Sequence, residues 1–246
     1  MRYRILGPLS VTEDGQEVAI TAGRDRILLA TLLLNAPRVV DHATLAEALW
    51  GIGPPSTARS QLHICVSRLR RRLPPKTIVS DPARYRLICD PGDPDATTFT
   101  RLVARARDGH DAALYREALD PWRGEALVGL DSQPIRSGAA VLDERYMAAL
   151  EEWAELELAA GRDRELVGPL SEAVERFADR YLAAALRLAR RRGNRPVEAE
   201  VLNEKAIVLR RRVRHDEATA LHQAAIAMIR PTSFPSSTRP NAGWRR

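Results

Sequence analysis

The sequence predicts a mainly α chain with a small β component: an N-terminal winged helix-turn-helix, then an all-α, tetratricopeptide-like helical domain. Three observations predict it. Within residues 1–90, strand-like segments, three helical segments and a closing strand pair follow in the order of a winged helix with an added N-terminal sheet. After a Pro/Gly/Asp connector, DPGDPDATT from Asp90 to Thr98, helical segments of about 12–17 residues pair across short Gly-containing turns. The formal charge of +6 is also uneven. Residues 1–90 carry 13 Lys and Arg against 8 Asp and Glu, residues 91–230 carry 22 against 24, and residues 231–246 add three arginines. The basic excess therefore lies with the first domain and the extreme C-terminus. The expected divisions are 1–91, 92–230 and a disordered basic tail, 231–246.

Tyr3 to Val11 is strand-like, and Glu17 to Ile20 follows across Glu13-Asp14-Gly15, which reads as a short hairpin or meander. From Gly23 the period changes to helix. Ile27, Leu28, Leu29, Leu32, Leu33 and Leu34 cover so wide an arc that this helix must be largely buried, and Pro37 stops it. Asp41 opens a second helix with Leu45, Leu49 and Trp50 on its apolar edge. Gly51, Ile52, Gly53, Pro54 and Pro55 make a tight connector to the third.

That third helix, Ser56 to Leu73, has Ser56 and Thr57 as candidate N-caps. At about 100° per residue, Ala58, Leu62, Cys65, Val66, Leu69 and Leu73 gather on one side. Arg59, Ser60, His63, Ser67, Arg70 and Arg71 gather on the other. Five arginines and no carboxylate suit the DNA major groove, where arginine forks onto guanine or phosphate and Ser and His donate to base edges. Alone, the pattern fits a solvated basic face equally well. Its neighbours favour the groove. The segment TIVSDPARYRLICD then reads as two strands joined near Asp81-Pro82-Ala83, with Tyr85 as wing packing.

Beyond the connector, Phe99 to Arg107 and Ala112 to Leu119 pair, and the loop DPWRGEALVGLDSQP leads to a long helix from Ile135 to about Ala160. Glu165 to Phe177, Arg180 to Arg192, Val197 to Arg211 and Glu217 to Ile229 complete the series.

The blocks ILGPLSV, RDRILLATLLL, LAEALWG, PPSTARSQLHICVSRLRRRL and YRL, in this order, resemble the winged-helix half of the Streptomyces antibiotic regulatory protein (SARP) family. FTRLVARAR, LDPWRGEALVGL and LDERYMAALEEWAELELAAGRDRELVGPLSEAVERF look like that family's bacterial transcriptional activator domain, and the likeness weakens after Phe177. The resemblance implies a DNA-binding fold of the response-regulator effector type. It also implies that the third helix enters the major groove of double-stranded DNA and that the hairpin around Arg84 reaches the minor groove or backbone. Arg24 and Arg26 stand where the family has basic residues, and Arg68 and Arg70 in its VSRLR block. Arg68 serves equally as a phosphate contact or an internal ion-pair donor. Departures are His63 where Gln is expected, Cys65 where an aromatic or His is expected, and Arg84 where a wing glycine usually stands.

The implied function is that of a pathway-specific transcriptional activator of secondary-metabolite (antibiotic) biosynthesis. Such a protein binds direct repeats upstream of promoters as side-by-side protomers and recruits RNA polymerase holoenzyme. By analogy with related winged helices, Gly51 to Pro55 is the candidate polymerase contact. On this reading Arg24, Arg26, Arg59 and Arg70 anchor on phosphates, and Ser60, His63, Ser67 and Arg71 read bases. Two alternatives stay open: a helical-repeat interaction module with a vestigial winged helix, and a repressor using the same contacts.

No enzyme is expected. The five histidines lack metal-ligand spacing, and GxxxxGK[ST], GxGxxG and GxSxG are absent, so no catalytic residue, cofactor or metal is assigned. Cys65 and Cys89 are too few for a disulfide framework and read as small buried residues. No segment approaches a membrane span and the N-terminus lacks a signal-peptide core, so a cytoplasmic, nucleoid-associated protein is expected.

Overall fold

The computed structural model describes residues 1–90, 92–166, 168–170, 172–173, 177, 182, 186, 190, 193, 195–211 and 215–229. The N-terminal segment forms an antiparallel meander of β1 (Arg2–Arg4), β2 (Ser10–Glu13) and β3 (Gln16–Glu17). Asp14 and Gly15 turn β2 into β3 with φ of +49° and +84°, the left-handed pair that matches strand twist. The strand expected across Tyr3 to Val11 is broken in two. Gly7 stands at φ +135° before Pro8, and a Cβ there would lie 3.0 Å from the Arg123 Cβ. The backbone groups of residues 5–7 find partners far along the chain. Arg123 N–H donates to the Leu6 carbonyl at 2.9 Å, and Leu127 N–H to those of Ile5 and Gly7 at 3.1 and 2.7 Å.

Helix α1 (Gly23–Asn35) buries Leu28, Leu29, Leu32 and Leu33, as its broad apolar arc requires. Helix α2 (His42–Trp50) starts one residue later than expected, because Asp41 is its N-cap and accepts the Thr44 N–H at 2.7 Å. Asp41 also ends β4 (Val40–Asp41), a two-residue strand with no sequence signature, which completes a sheet in the order β4-β6-β5. Its partners are the wing strands β5 (Ile78–Asp81) and β6 (Arg84–Leu87). Between α2 and β5, α3 (Ala58–Arg72) buries Leu62, Cys65, Val66 and Leu69 against α1 and α2. Thr57 occupies its N-cap, yet the Thr57 hydroxyl accepts from the Gln61 side chain at 2.8 Å and caps no backbone N–H, while Ala58 N–H donates to the Pro55 carbonyl at 2.8 Å.

Helix α4 (Asp95–Gly109) begins inside the stretch expected to be connector. The reason is Asp95. Its carboxylate accepts the Ala96 N–H at 2.9 Å while also taking Ile5 N–H at 2.8 Å and Leu6 N–H at 3.3 Å. Residues that look like a linker therefore bind the helical region to the N-terminal sheet. Helix α5 (Ala112–Leu119) is capped by Asp111, and α6 (Gln133–Ala159) is the long helix of the group. Phe99, Trp122 and Tyr146 pack as adjoining rings 4.7–5.3 Å apart in its core. Further along α6, Glu157, 1% exposed, is surrounded by Arg116, Arg162 and the Trp153 indole N–H.

Residues 1–173 form one compact unit and residues 174–246 a second. In the second, α7 (Arg195–Arg211) packs on α8 (His215–Ile229) through Ala199, Leu202, Ala225 and Ala206, Leu209, Ala218. Helix α7 begins two residues before the expected Val197 and α8 two before Glu217. The helix expected over Arg180 to Arg192 lies mostly outside the described residues, as does part of Glu165 to Phe177. The tail 231–246 lies wholly outside them.

Candidate nucleic-acid interface

Helix α3 turns one face to α1 and α2 and leaves the other open. Arg59, Ser60, His63, Ser67, Arg70 and Arg71 are all exposed, as the projection requires, and the apolar set is buried apart from Ala58, which is half-buried. Among the described residues no carboxylate forms an ion pair with Arg59, Arg70 or Arg71. An Arg-bearing helix face kept free of acids presents a strongly positive surface to a polyanion.

The other arginines divide by what holds them. Arg68 forks onto Asp25 of α1, with Nε to Oδ2 at 2.8 Å and Nη2 to Oδ1 at 2.6 Å, and Nη2 also lies 3.3 Å from the Cys65 Sγ. Asp25 is 5% exposed, so this bridge fixes α3 on α1. Of the two roles open to Arg68, the geometry displays the internal one. Burial, with the neighbouring Asp25, pushes the Cys65 thiol up to about 11, which keeps it protonated and inert. Arg70 donates through Nε and Nη2 to the Ile78 carbonyl and through Nη2 to the Ser80 hydroxyl, so it ties α3 to the wing while remaining exposed. Arg24 reaches the Gln61 amide oxygen at 3.0 Å and lies 5.5 Å over the Trp50 ring. Arg26 is half-buried and borders a groove with Ser10, Glu17 and Val18. Arg71 borders a groove with Arg68, Arg72 and the segment Ala19 to Ala22. Arg84 stands exposed at the hairpin tip, opposite Asp81 and Asp41 in the sheet register.

His63 is exposed but not loose. Its Nδ1 lies 2.8 Å from the hydroxyl of Tyr85, a residue 2% exposed on the inner face of β6. His42, opening α2, stacks on Tyr85 at 5.2 Å and meets His63 edge-on at 5.7 Å. Burial holds the His42 ring below the usual histidine range, helped by the nearby His63 and Arg59. Tyr85 is thus wing packing, as expected, and also a support beneath the exposed face.

The structure adds residues that periodicity missed. Ile64 is 54% exposed beside His63. It sat at the edge between the two helical arcs, and nothing but its apolar character in a polar setting could have drawn attention to it. A bare aliphatic group there can meet a thymine methyl. Arg86, exposed on the same strand face as Arg84, is a further wing cation. In the connector Gly51 to Pro55 every residue is exposed, and Ile52 wholly so. Gly51, at φ +70°, ends α2 with its N–H on the Glu47 carbonyl at 2.8 Å. No group of residues that could hold a metal occurs among the described residues, and no described helix is long and apolar enough to cross a membrane.

Fold and exposed face together are those of a winged helix-turn-helix regulator joined to a helical domain. Residues 15–83 match the family model "Transcriptional regulatory protein, C terminal", and residues 94–224 match "Bacterial transcriptional activator domain". The chain belongs to the Streptomyces antibiotic regulatory protein family of transcriptional regulators. Regulatory protein AfsR of Streptomyces coelicolor is 32% identical over 210 residues, covering 81% of this chain and 21% of AfsR. Transcriptional regulator RedD of the same organism is 29% identical, covering 77% of this chain and 60% of RedD. Regulatory protein DnrI of Streptomyces peucetius is 31% identical, covering 70% of each. The solved structure of Mycobacterium tuberculosis EmbR in complex with a low affinity phosphopeptide aligns with a TM-score of 0.60 at 27% identity. That alignment covers 91% of this chain and 58% of EmbR. The chain thus spans only a part of AfsR, RedD and EmbR.

Proposed function

We propose that this protein is a sequence-specific DNA-binding transcriptional activator, pathway-specific for secondary-metabolite biosynthesis, and not an enzyme. The observation that carries the reading is the acid-free, exposed face of α3, braced from behind by the Arg68–Asp25 bridge and from the side by Arg70 on the wing. The helix enters the major groove of double-stranded DNA. Arg59 and Arg71 have no internal partner among the described residues and are the freest to reach phosphate or guanine. Arg24 and Arg70 contact phosphate while keeping their bonds to Gln61 and Ile78. Arg68 acts through the fold that it stabilises, Arg26 anchors on phosphate, and Arg84 and Arg86 are wing contacts on the backbone. Ser60, His63 and Ser67 read base edges.

Protomers bind side by side on direct repeats upstream of promoters, and the connector with Ile52 at its tip contacts RNA polymerase holoenzyme. The protein acts in the cytoplasm on the nucleoid. Residues 1–91 serve DNA binding and residues 92–230 protein contacts, with 231–246 as a basic tail. The test is footprinting on the regions upstream of its own and neighbouring genes at several salt concentrations. Protected direct repeats are expected, with affinity falling by orders of magnitude from low to moderate salt. No protected repeat at low salt would sink the DNA reading. Protection that lowers transcription in a reconstituted assay would make the protein a repressor.

A further inference from the structure

The support beneath His63 determines more than its position. We propose that Tyr85 is a positioning residue that donates its hydroxyl proton to His63 Nδ1, fixes the imidazole proton on Nε2, and makes this point of the recognition face a donor that selects acceptor base edges. The proposal rests on the DNA-binding reading above and deepens it.

The direction of the 2.8 Å bond follows from what each group can do with its proton. If His63 carried its proton on Nδ1 and donated to Tyr85, the hydroxyl hydrogen of a residue 2% exposed would need another acceptor. None occurs among the described residues, and the nearby His42 Nε2, also buried, has no hydrogen-bond partner. A buried donor left without an acceptor disfavours that arrangement by roughly tenfold or more. With Tyr85 donating, both groups are satisfied and Nε2–H is left for a ligand. A histidine without this support would offer Nε2 as a donor in one tautomer and an acceptor in the other. His42, stacked on Tyr85 and edge-on to His63, closes the remaining side of the ring cluster.

A fixed donor in the major groove selects guanine O6 and N7, thymine O4 or adenine N7, and disfavours the cytosine amino group. Glutamine, expected at this position from the family resemblance, offers a donor and an acceptor together and pairs with adenine at both. The exchange to His63 therefore changes the base sought at this position.

Two measurements on the full chain test the proposal. Long-range proton–nitrogen NMR of the free protein should show His63 protonated at Nε2 and bare at Nδ1, and Tyr85→Phe should turn it into a mixture of tautomers. Selection from randomised duplexes should show the wild type favouring guanine or thymine over cytosine at one position. In Tyr85→Phe that preference should fall by about tenfold with nonspecific affinity unchanged. His63→Gln, an exposed substitution that leaves the fold intact, should move the preference to adenine. This variant decides the base-reading role even if Tyr85→Phe does not fold. A wild-type His63 protonated at Nδ1 overturns the proposal while a footprint leaves the DNA reading standing. So does an unchanged preference in both variants. The expected tautomer with no selective DNA binding would overturn the base-reading role and the DNA reading together.

Discussion

The exposed face of α3 and the seam between residues 1–90 and 92–166 handle charge in opposite ways. At the seam the polar groups of Asp95 and Ser132 have named partners, while the buried Trp122 Nε1 has none among the described residues. Asp95 accepts two N–H groups of the N-terminal segment, and the Ser132 hydroxyl donates to the Ala48 carbonyl at 2.8 Å. On the α3 face no carboxylate among the described residues pairs with Arg59 or Arg71. Buried polar groups must be paired or they cost stability. A surface meant for a polyanion must stay unpaired, because an internal carboxylate would compete with phosphate. The seam thus shows what the fold requires, and the face shows what folding alone does not explain.

The comparison predicts where substitutions act. The largest loss of stability is expected where face and scaffold meet. Arg68→Ala strands the carboxylate of Asp25 and should cost about 2–3 kcal/mol, less than for a fully buried pair because water reaches the guanidinium. Urea denaturation measures it, and an unchanged midpoint would make the bridge incidental. Next is Gly138→Leu on α6. A Cβ at Gly138 would already lie 2.8 Å from the Leu34 Cδ1 of α1, so overpacking should cost about 1–3 kcal/mol. Ser132→Ala should cost about 1 kcal/mol by leaving the Ala48 carbonyl, at the end of α2, without its donor.

A smaller effect is expected from pH. Arg107, with help from the Tyr115 hydroxyl, holds the Glu152 carboxyl below the usual range. A depressed carboxylate adds stability that is complete above the ordinary glutamate value of about 4.3 and is lost as pH falls through the lower folded value. Melting temperature should therefore drop in that acid window, and Glu152→Gln should flatten the drop. An identical pH profile in the variant would remove Glu152 from the account.

What was legible in the sequence follows the same division. The burial of α1, the two faces of α3 and the wing strands rest on short-range periodicity, and all could be read directly. The exposed polar residues of α3 were legible for the same reason. What escaped reading depends on partners distant in the chain. The first strand breaks at Gly7 because Arg123 and Leu127 bond to residues 5–7. Asp95 turns apparent linker into helix because Ile5 and Leu6 need its carboxylate, and the choice between the two roles read for Arg68 rests on Asp25, 43 positions away. Local composition carries no record of such pairings. Ile64 escaped for another reason: an apolar residue at the border of two arcs belongs to neither pattern.

The smallest effect on stability separates the two regions most sharply. Arg59 is exposed on the first turn of α3, and no described carboxylate pairs with it. Arg59→Ala should leave stability within about 0.5 kcal/mol of the wild type, as for surface sites without special contacts. On DNA the same change should weaken all sequences about equally and lower the salt slope by about 0.9, the loss of one phosphate contact. His63→Ala should do the reverse, relaxing base preference and leaving the slope near its wild-type value. Titrations of both variants against matched and mismatched duplexes at several salt concentrations resolve the two outcomes. Equal slopes and equal preferences in wild type and both variants would mean that the open face of α3 is solvated surface, and that its lack of carboxylates serves something other than DNA.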